Sequence, residues 1–176
     1  MSANENTSSA EHLQGWFAGR LPADWFAGAP EVSHDRDEIL VVGTLAEPEL
    51  PGDATAETKA AALGSRIAGF REDTRAKRMK VADEAEHRFG RKVSWGAQCG
   101  DQRHLFTTLS TPAMTRLRMS ERKVLDTLVD AGVARSRSHA LAWCVRLVAE
   151  RQEDWLKDLR QALEQVEQVR AEGPQD

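Results

Sequence analysis

The stretch Met114–Ala149, MTRLRMSERKVLDTLVDAGVARSRSHALAWCVRLVA, carries the most specific pattern in the chain. It opens on an alternation. Leu117 and Met119 fall on one side and Arg116 and Arg118 on the other, the period of a short strand. Ser120 then offers a helix cap. Val124, Leu125, Leu128 and Val129 form the apolar stripe of a helix that ends near Gly132. Arg135-Ser136-Arg137-Ser138 follows, where a second Ser can cap a second helix starting at Ser136–Ser138. There Ala140, Leu141, Cys144, Val145 and Val148 recur on one face of a 3.6-residue repeat. Beyond it, Trp155, Leu156, Leu159, Leu163, Val166 and Val169 continue a three-four spacing over 150–172, and Gly173-Pro174 stops it. This last helix either packs on its own domain or forms an extra dimerisation or partner coiled coil.

Upstream, residues 1–14 are small and polar without periodicity and read as a disordered tail. Trp16-Phe17-Ala18-Gly19 then recurs as Trp25-Phe26-Ala27-Gly28. Such large apolar areas must bury against something. Trp16, Phe17, Trp25 and Phe26 either staple this acidic arm onto the domain's own core or dock a partner protein. Residues 38–45 read as a strand and 46–55 as a Pro/Gly loop. Residues 56–89 read as one helix, with Leu63, Ile67, Phe70, Thr74, Val81, Ala85 and Phe89 near one stripe and Gly90 at its end. Arg71, Arg75 and Arg78 form a separate row beside Lys77 and Lys80. Lys92–Cys99 and Arg103–Leu109 read as two strands turned at Gly100-Asp101. The expectation is α+β. A tail (1–14) leads into a β-α-β-β region with its acidic arm and basic helix (15–112). The segment quoted above (113–149) and a C-terminal helix (150–176) follow.

The net charge of −4 argues at first against a polyanion partner. Resolved along the chain it is −9 over residues 1–58, +8 over 59–123 and −3 over 124–176. A basic third between acidic ends suits nucleic acid, with Arg71, Arg75 and Arg78 as phosphate contacts. The plainer alternative is a solvated helix face. The acidic first third would shield the basic middle until DNA or a partner displaced it. No run of 18 apolar residues is present, so no transmembrane helix is expected. The first residues lack a signal-peptide pattern, and two cysteines give no disulfide framework. A cytoplasmic protein is the expectation, nucleoid-associated if bacterial.

The segment over residues 114–149 resembles the ribbon-helix-helix family of DNA-binding dimers. Thr115–Met119, Leu128–Ala134 and Ser136–Leu141 carry the likeness. The resemblance implies a homodimer in which two strands pair into an antiparallel ribbon that fills the DNA major groove. It implies base contacts from Arg116 and Arg118, and phosphate contacts from Ser136, Arg137 and Ser138 at a helix N-terminus. Cys144 would then be a small hydrophobe on the face packed against the twin.

Five histidines are scattered, and Cys99 and His104 stand five apart, without the ligand spacing of a metal site. No P-loop, GxGxxG or GxSxG stretch occurs. Asp83, Glu84 and Glu86 on the basic helix suit salt bridges better than acid–base catalysis. The expected function is therefore a non-enzymatic, homodimeric DNA-binding transcription regulator with no catalytic residue, metal or cofactor and no membrane partner. The alternative is an adaptor that docks proteins through the aromatic repeats and the C-terminal helix.

Overall fold

Two apolar runs, Ile39–Val42 and Val93–Cys99, set the sheet around which the N-terminal half is built. The elements run α1 (Ala3–Arg20), β1 (Glu31–His34), β2 (Glu38–Thr44), α2 (Ala56–Asp73), α3 (Arg75–Phe89), β3 (Lys92–Cys99), β4 (Gln102–Leu105), α4 (Met119–Asp130), α5 (Arg137–Arg151) and α6 (Glu153–Glu172). The computed structural model describes residues 3–172. The chain divides between Thr111 and Pro112 into two compact units. The expected helix stop at Gly173-Pro174 lies outside the described residues.

In the N-terminal unit the strand order is β1-β2-β3-β4. β2 and β3 pair in parallel, with Val41 opposite Trp95 and Gly43 opposite Ala97. Antiparallel hairpins flank them. A parallel pair needs a long crossover, and α2 and α3 supply it. Ile39, Val41, Trp95, Ala97 and Cys99 alternate along the strands and share one face with the buried Leu63, Ile67, Val81 and Ala85 of the helices. Gly100 takes φ 56° at the β3–β4 turn, in the region that favours glycine. Glu84 and Glu86 sit in salt bridges, to Arg20 and Lys92.

Several expectations require correction here. The expected β-α-β-β unit carries an additional helix and strand, α1 and β1. The stretch read as a disordered tail is helical from Ala3, and Leu13 is fully buried. A single apolar side chain among polar ones gave the sequence no period to show. The one helix expected over 56–89 is two, meeting at Thr74, whose φ of −97° and ψ of −1° end α2. Yet its apolar stripe is the buried one. The last strand stops at Leu105 rather than Leu109, because the Leu109 N–H donates to the Glu38 carboxylate instead of a neighbouring strand.

The aromatic repeats are core, not a docking motif. Phe17 is fully buried, Trp25 nearly so, and Trp16 and Phe26 are half-buried. Phe17 meets Trp95 edge-on at 6.2 Å, and Trp25 meets Phe70 at 5.6 Å. Phe26 lies flat enough on β2 that a Cβ at Gly43 would fall 2.0 Å from its ring. Arg20 fixes α1 to α3 through two bonds to Glu84, at 2.5 and 2.7 Å. The acidic first third is therefore no detachable shield, since removing residues 1–58 would remove Phe17, Trp25, Ile39 and Val41 from the core.

Phe17→Ala should destabilise the protein by about 3–5 kcal/mol, the usual cost of truncating a buried phenylalanine, measured by urea unfolding. A change below about 0.5 kcal/mol, typical of surface positions, would mean that α1 is not part of the core.

Candidate nucleic-acid interface

The C-terminal unit begins without regular secondary structure. Residues 107–118 form neither helix nor strand, and Arg118 has φ −77° and ψ 170°. Leu117 is half-buried against the cluster of Leu125, Ala134 and Ala140. Arg116 and Arg118 on either side of it are exposed. The alternation read from the sequence therefore holds across these three residues. It fails at Met119, which begins α4 and is 64% exposed. Arg118 rather than Ser120 occupies the cap position, and its N–H donates to the Glu121 carboxylate. Arg122 Nη1 donates to the Leu117 carbonyl at 2.6 Å, so two contacts hold this stretch at the mouth of α4.

The helix pair closes through local chemistry. Gly132 takes φ 73°, and the Val133 and Ala134 N–H groups both donate to the Leu128 carbonyl. Ser136 caps α5 by accepting the His139 N–H at 3.2 Å. The Arg135 N–H donates to His139 Nδ1 at 3.3 Å. Arg137 is not a free cation. Its Nε and Nη2 donate to the two Asp126 oxygens at 2.6 and 2.8 Å, a bidentate bond between α5 and α4. That bond holds the Asp126 carboxyl below the usual carboxylate range. The pair therefore contributes above the unfolded carboxylate's pKa of about 4 and is lost as pH falls through the lower folded value. Ser138 is exposed at the same helix end. Asp126 was missed in the sequence because its partner lies eleven residues away across a turn.

The basic row of the N-terminal unit divides. Arg71 and Arg75 are exposed, but Arg78 is only 6% exposed. Its Nε donates to Thr74 Oγ1 at 3.0 Å and its Nη2 to the Arg71 carbonyl at 2.6 Å, with the guanidinium 4.8 Å from the Phe106 ring centre. Burial, with Arg71 and Arg75 nearby, lowers its pKa. Arg78 thus closes the α2–α3 junction and is withdrawn from the expected phosphate-contact row. Beside that junction an open cleft of about 650 Å³ has Trp25 and Phe70 in its wall and Asp24, Arg66, Asp73 and Lys77 among its lining. Among the described residues no three His, Cys, Asp or Glu side chains come together as a metal site, and no helix is long and apolar enough to cross a membrane.

The fold is that of a two-unit α+β protein, a sheet domain followed by a stretch without helix or strand and three helices. Residues 11–105 match the family described as Rv1265-like protein, N-terminal domain, and residues 118–170 match the Mb1296 C-terminal domain. The chain is 57% identical over 160 residues to the uncharacterized protein Rv1265 of Mycobacterium tuberculosis strain H37Rv. It is equally similar to the uncharacterized protein Mb1296 of Mycobacterium bovis, and each alignment covers 90% of this chain and 69% of the relative. The chain belongs to the Rv1265-like family. No solved structure matches it at significance.

Arg78→Ala removes charged hydrogen bonds worth roughly 1.5–3 kcal/mol each and should lower the unfolding midpoint clearly. Arg71→Ala and Arg75→Ala, being exposed, should stay within about 0.5 kcal/mol of the parent. Equal effects of all three in thermal melts would contradict the assignment of Arg78 to the junction.

Proposed function

We propose that this protein is a non-enzymatic, homodimeric DNA-binding regulator that reads the major groove with a ribbon built from residues 114–118 of two copies. The observation that carries the reading is the placement of Leu117. It packs beneath its own helix pair while Arg116 and Arg118 stand exposed, in a stretch without helix or strand that ends on the extended backbone of Arg118. Apart from the Arg118 N–H and the Leu117 carbonyl, which Glu121 and Arg122 hold, backbone groups in such a stretch are left to water or to another strand. Among the described residues, 114–118 are not part of the sheet β1-β2-β3-β4 and pair with no strand. A second copy related by a two-fold axis supplies one, and antiparallel pairing then turns four arginines to the same groove.

The helix end at Ser136 supports the same reading. Oriented backbone amides and a positive dipole end suit a DNA phosphate. Asp126 holds Arg137 through Nε and Nη2, which leaves Nη1 for such a contact. Ser138 is exposed beside it. Arg71 and Arg75 would add sequence-independent contacts. Packing of both aromatic repeats into the core weakens one of the two docking elements of the adaptor alternative, and the exposed C-terminal helix is the other.

Fluorescence anisotropy on genomic fragments tests this. Arg116→Ala/Arg118→Ala should lose sequence preference, at roughly 1–3 kcal/mol per base contact. Arg71→Ala/Arg75→Ala should keep the preference and lower the salt slope by about one unit per lost phosphate contact. Unchanged preference in the first variant would overturn base reading by the ribbon.

A further inference from the structure

Helix α6 carries an apolar face that is largely exposed among the described residues. Leu156, Leu159, Leu163 and Val166 follow one another at intervals of three, four and three residues, the spacing of a seam between helices. Trp155, Ala162 and Val169 recur at seven and form an adjoining column. Trp155 is 56% exposed, Leu163 60% and Val169 69%. The opposite side holds Asp154, Lys157, Asp158, Gln161, Glu164, Gln165 and Gln168 and is polar throughout.

We infer that α6 pairs with α6 of a second copy in an antiparallel arrangement centred near Ala162. Three features select that occupant. The first is area. A 20-residue helix is about 30 Å long. A two-column seam of that length is short for a stable coiled coil, whereas a third apolar column widens the stripe to that of a buried helix face. The second is the position of the third column. Run antiparallel, the column faces itself, so that Trp155 meets the second copy's Val169 and Ala162 meets the second copy's Ala162. Leu156 then faces the second copy's Val166, and Leu159 the second copy's Leu163. Small residues at the centre let the helix axes approach. Run parallel, the same column would face the charged Arg160 instead. The third is charge. The first turn holds Glu153 and Asp154 and the last turn holds Arg170. The antiparallel pair sets these ends together, while a parallel pair would set Arg170 on Arg170. The antiparallel pair does bring the two Arg160 side chains toward each other, but at the exposed edge, where salt screens them. Such an interface is closed and two-fold.

This inference stands on α6 alone and does not require the DNA reading. The test uses the full-length chain carrying Cys144→Ser. Cys99, whose thiol burial pushes up, stays in place. Single cysteines are introduced as Ala162→Cys, Gln161→Cys or Leu156→Cys, and disulfide-linked dimer is read on non-reducing gels after mild oxidation. Ala162→Cys should link at least about tenfold more than the other two, because a seated pair holds two thiols at an effective concentration near the mM range against μM in free solution. Absence of a link at 162, or equal linking at the outward Gln161, would overturn the pairing. Equal linking at Leu156 would overturn its antiparallel sense. Repeating Ala162→Cys with Arg116→Ala/Arg118→Ala separates the two proposals. A link that persists while DNA binding is lost leaves this one intact. DNA binding without a link at 162 removes this one alone.

Discussion

The C-terminal unit cannot bury its own apolar surface. Among the described residues it encloses only Leu125, Ala134 and Ala140. Among the described residues, eleven of the fifteen exposed large hydrophobic side chains lie beyond residue 112, from Met114 at 99% exposure to Val169. A helix pair of this size is below the scale at which a single core is self-sufficient. Val145 and Val148 on α5, at 64% and 49% exposure, extend the face that Ala140 and Leu141 begin. Association is the ordinary remedy for such a unit, because burial of apolar area is worth about 25 cal/mol per Å². Both proposals made for this unit follow from that one deficit.

The N-terminal unit presents the opposite case. Its core is aromatic and continuous, running from Phe17 through Trp95 and Trp25 to Phe70 and Phe106. The edge-on contacts among these rings add direction to what would otherwise be area alone. The crossover helices lock onto the sheet through Leu63, Ile67, Val81 and Ala85, and the Arg20–Glu84 pair adds α1 to them. The aromatic repeats and Arg78 are engaged in this core and its junction, which leaves Arg71 and Arg75 as the exposed part of the basic row.

What the sequence disclosed, and what it hid, follows from the range of each interaction. Strands β2 and β3, the turn at Gly100, the buried stripe from Leu63 to Phe89, the glycine at 132 and the Ser136 cap are all written within a few residues of where they act. The hidden parts depend on distant partners. Strand β1 is four residues long and is strand only because it pairs with β2. Helix α1 is held by Leu13 and Phe17, two side chains whose targets lie in other elements. Thr74 breaks a helix whose hydrophobic period runs through it unbroken, so periodicity alone could not find the junction. Burial of Arg78 depends on Phe106, and the hold on Arg137 depends on Asp126. Each pairing crosses a turn or an entire element, beyond the reach of local pattern.

The proposed ribbon requires residues 114–118, which precede α4 without helix or strand, to pair with a second copy. Amide hydrogen exchange across residues 114–118, followed as a function of protein concentration, tests it most directly. Among the Thr115–Leu117 amides, those that face the second copy should be protected at concentrations where the protein is dimeric and should lose that protection on dilution, while β2 and β3 stay protected throughout. Exchange of this stretch at the rate of an unstructured peptide in a demonstrated dimer would contradict the pairing.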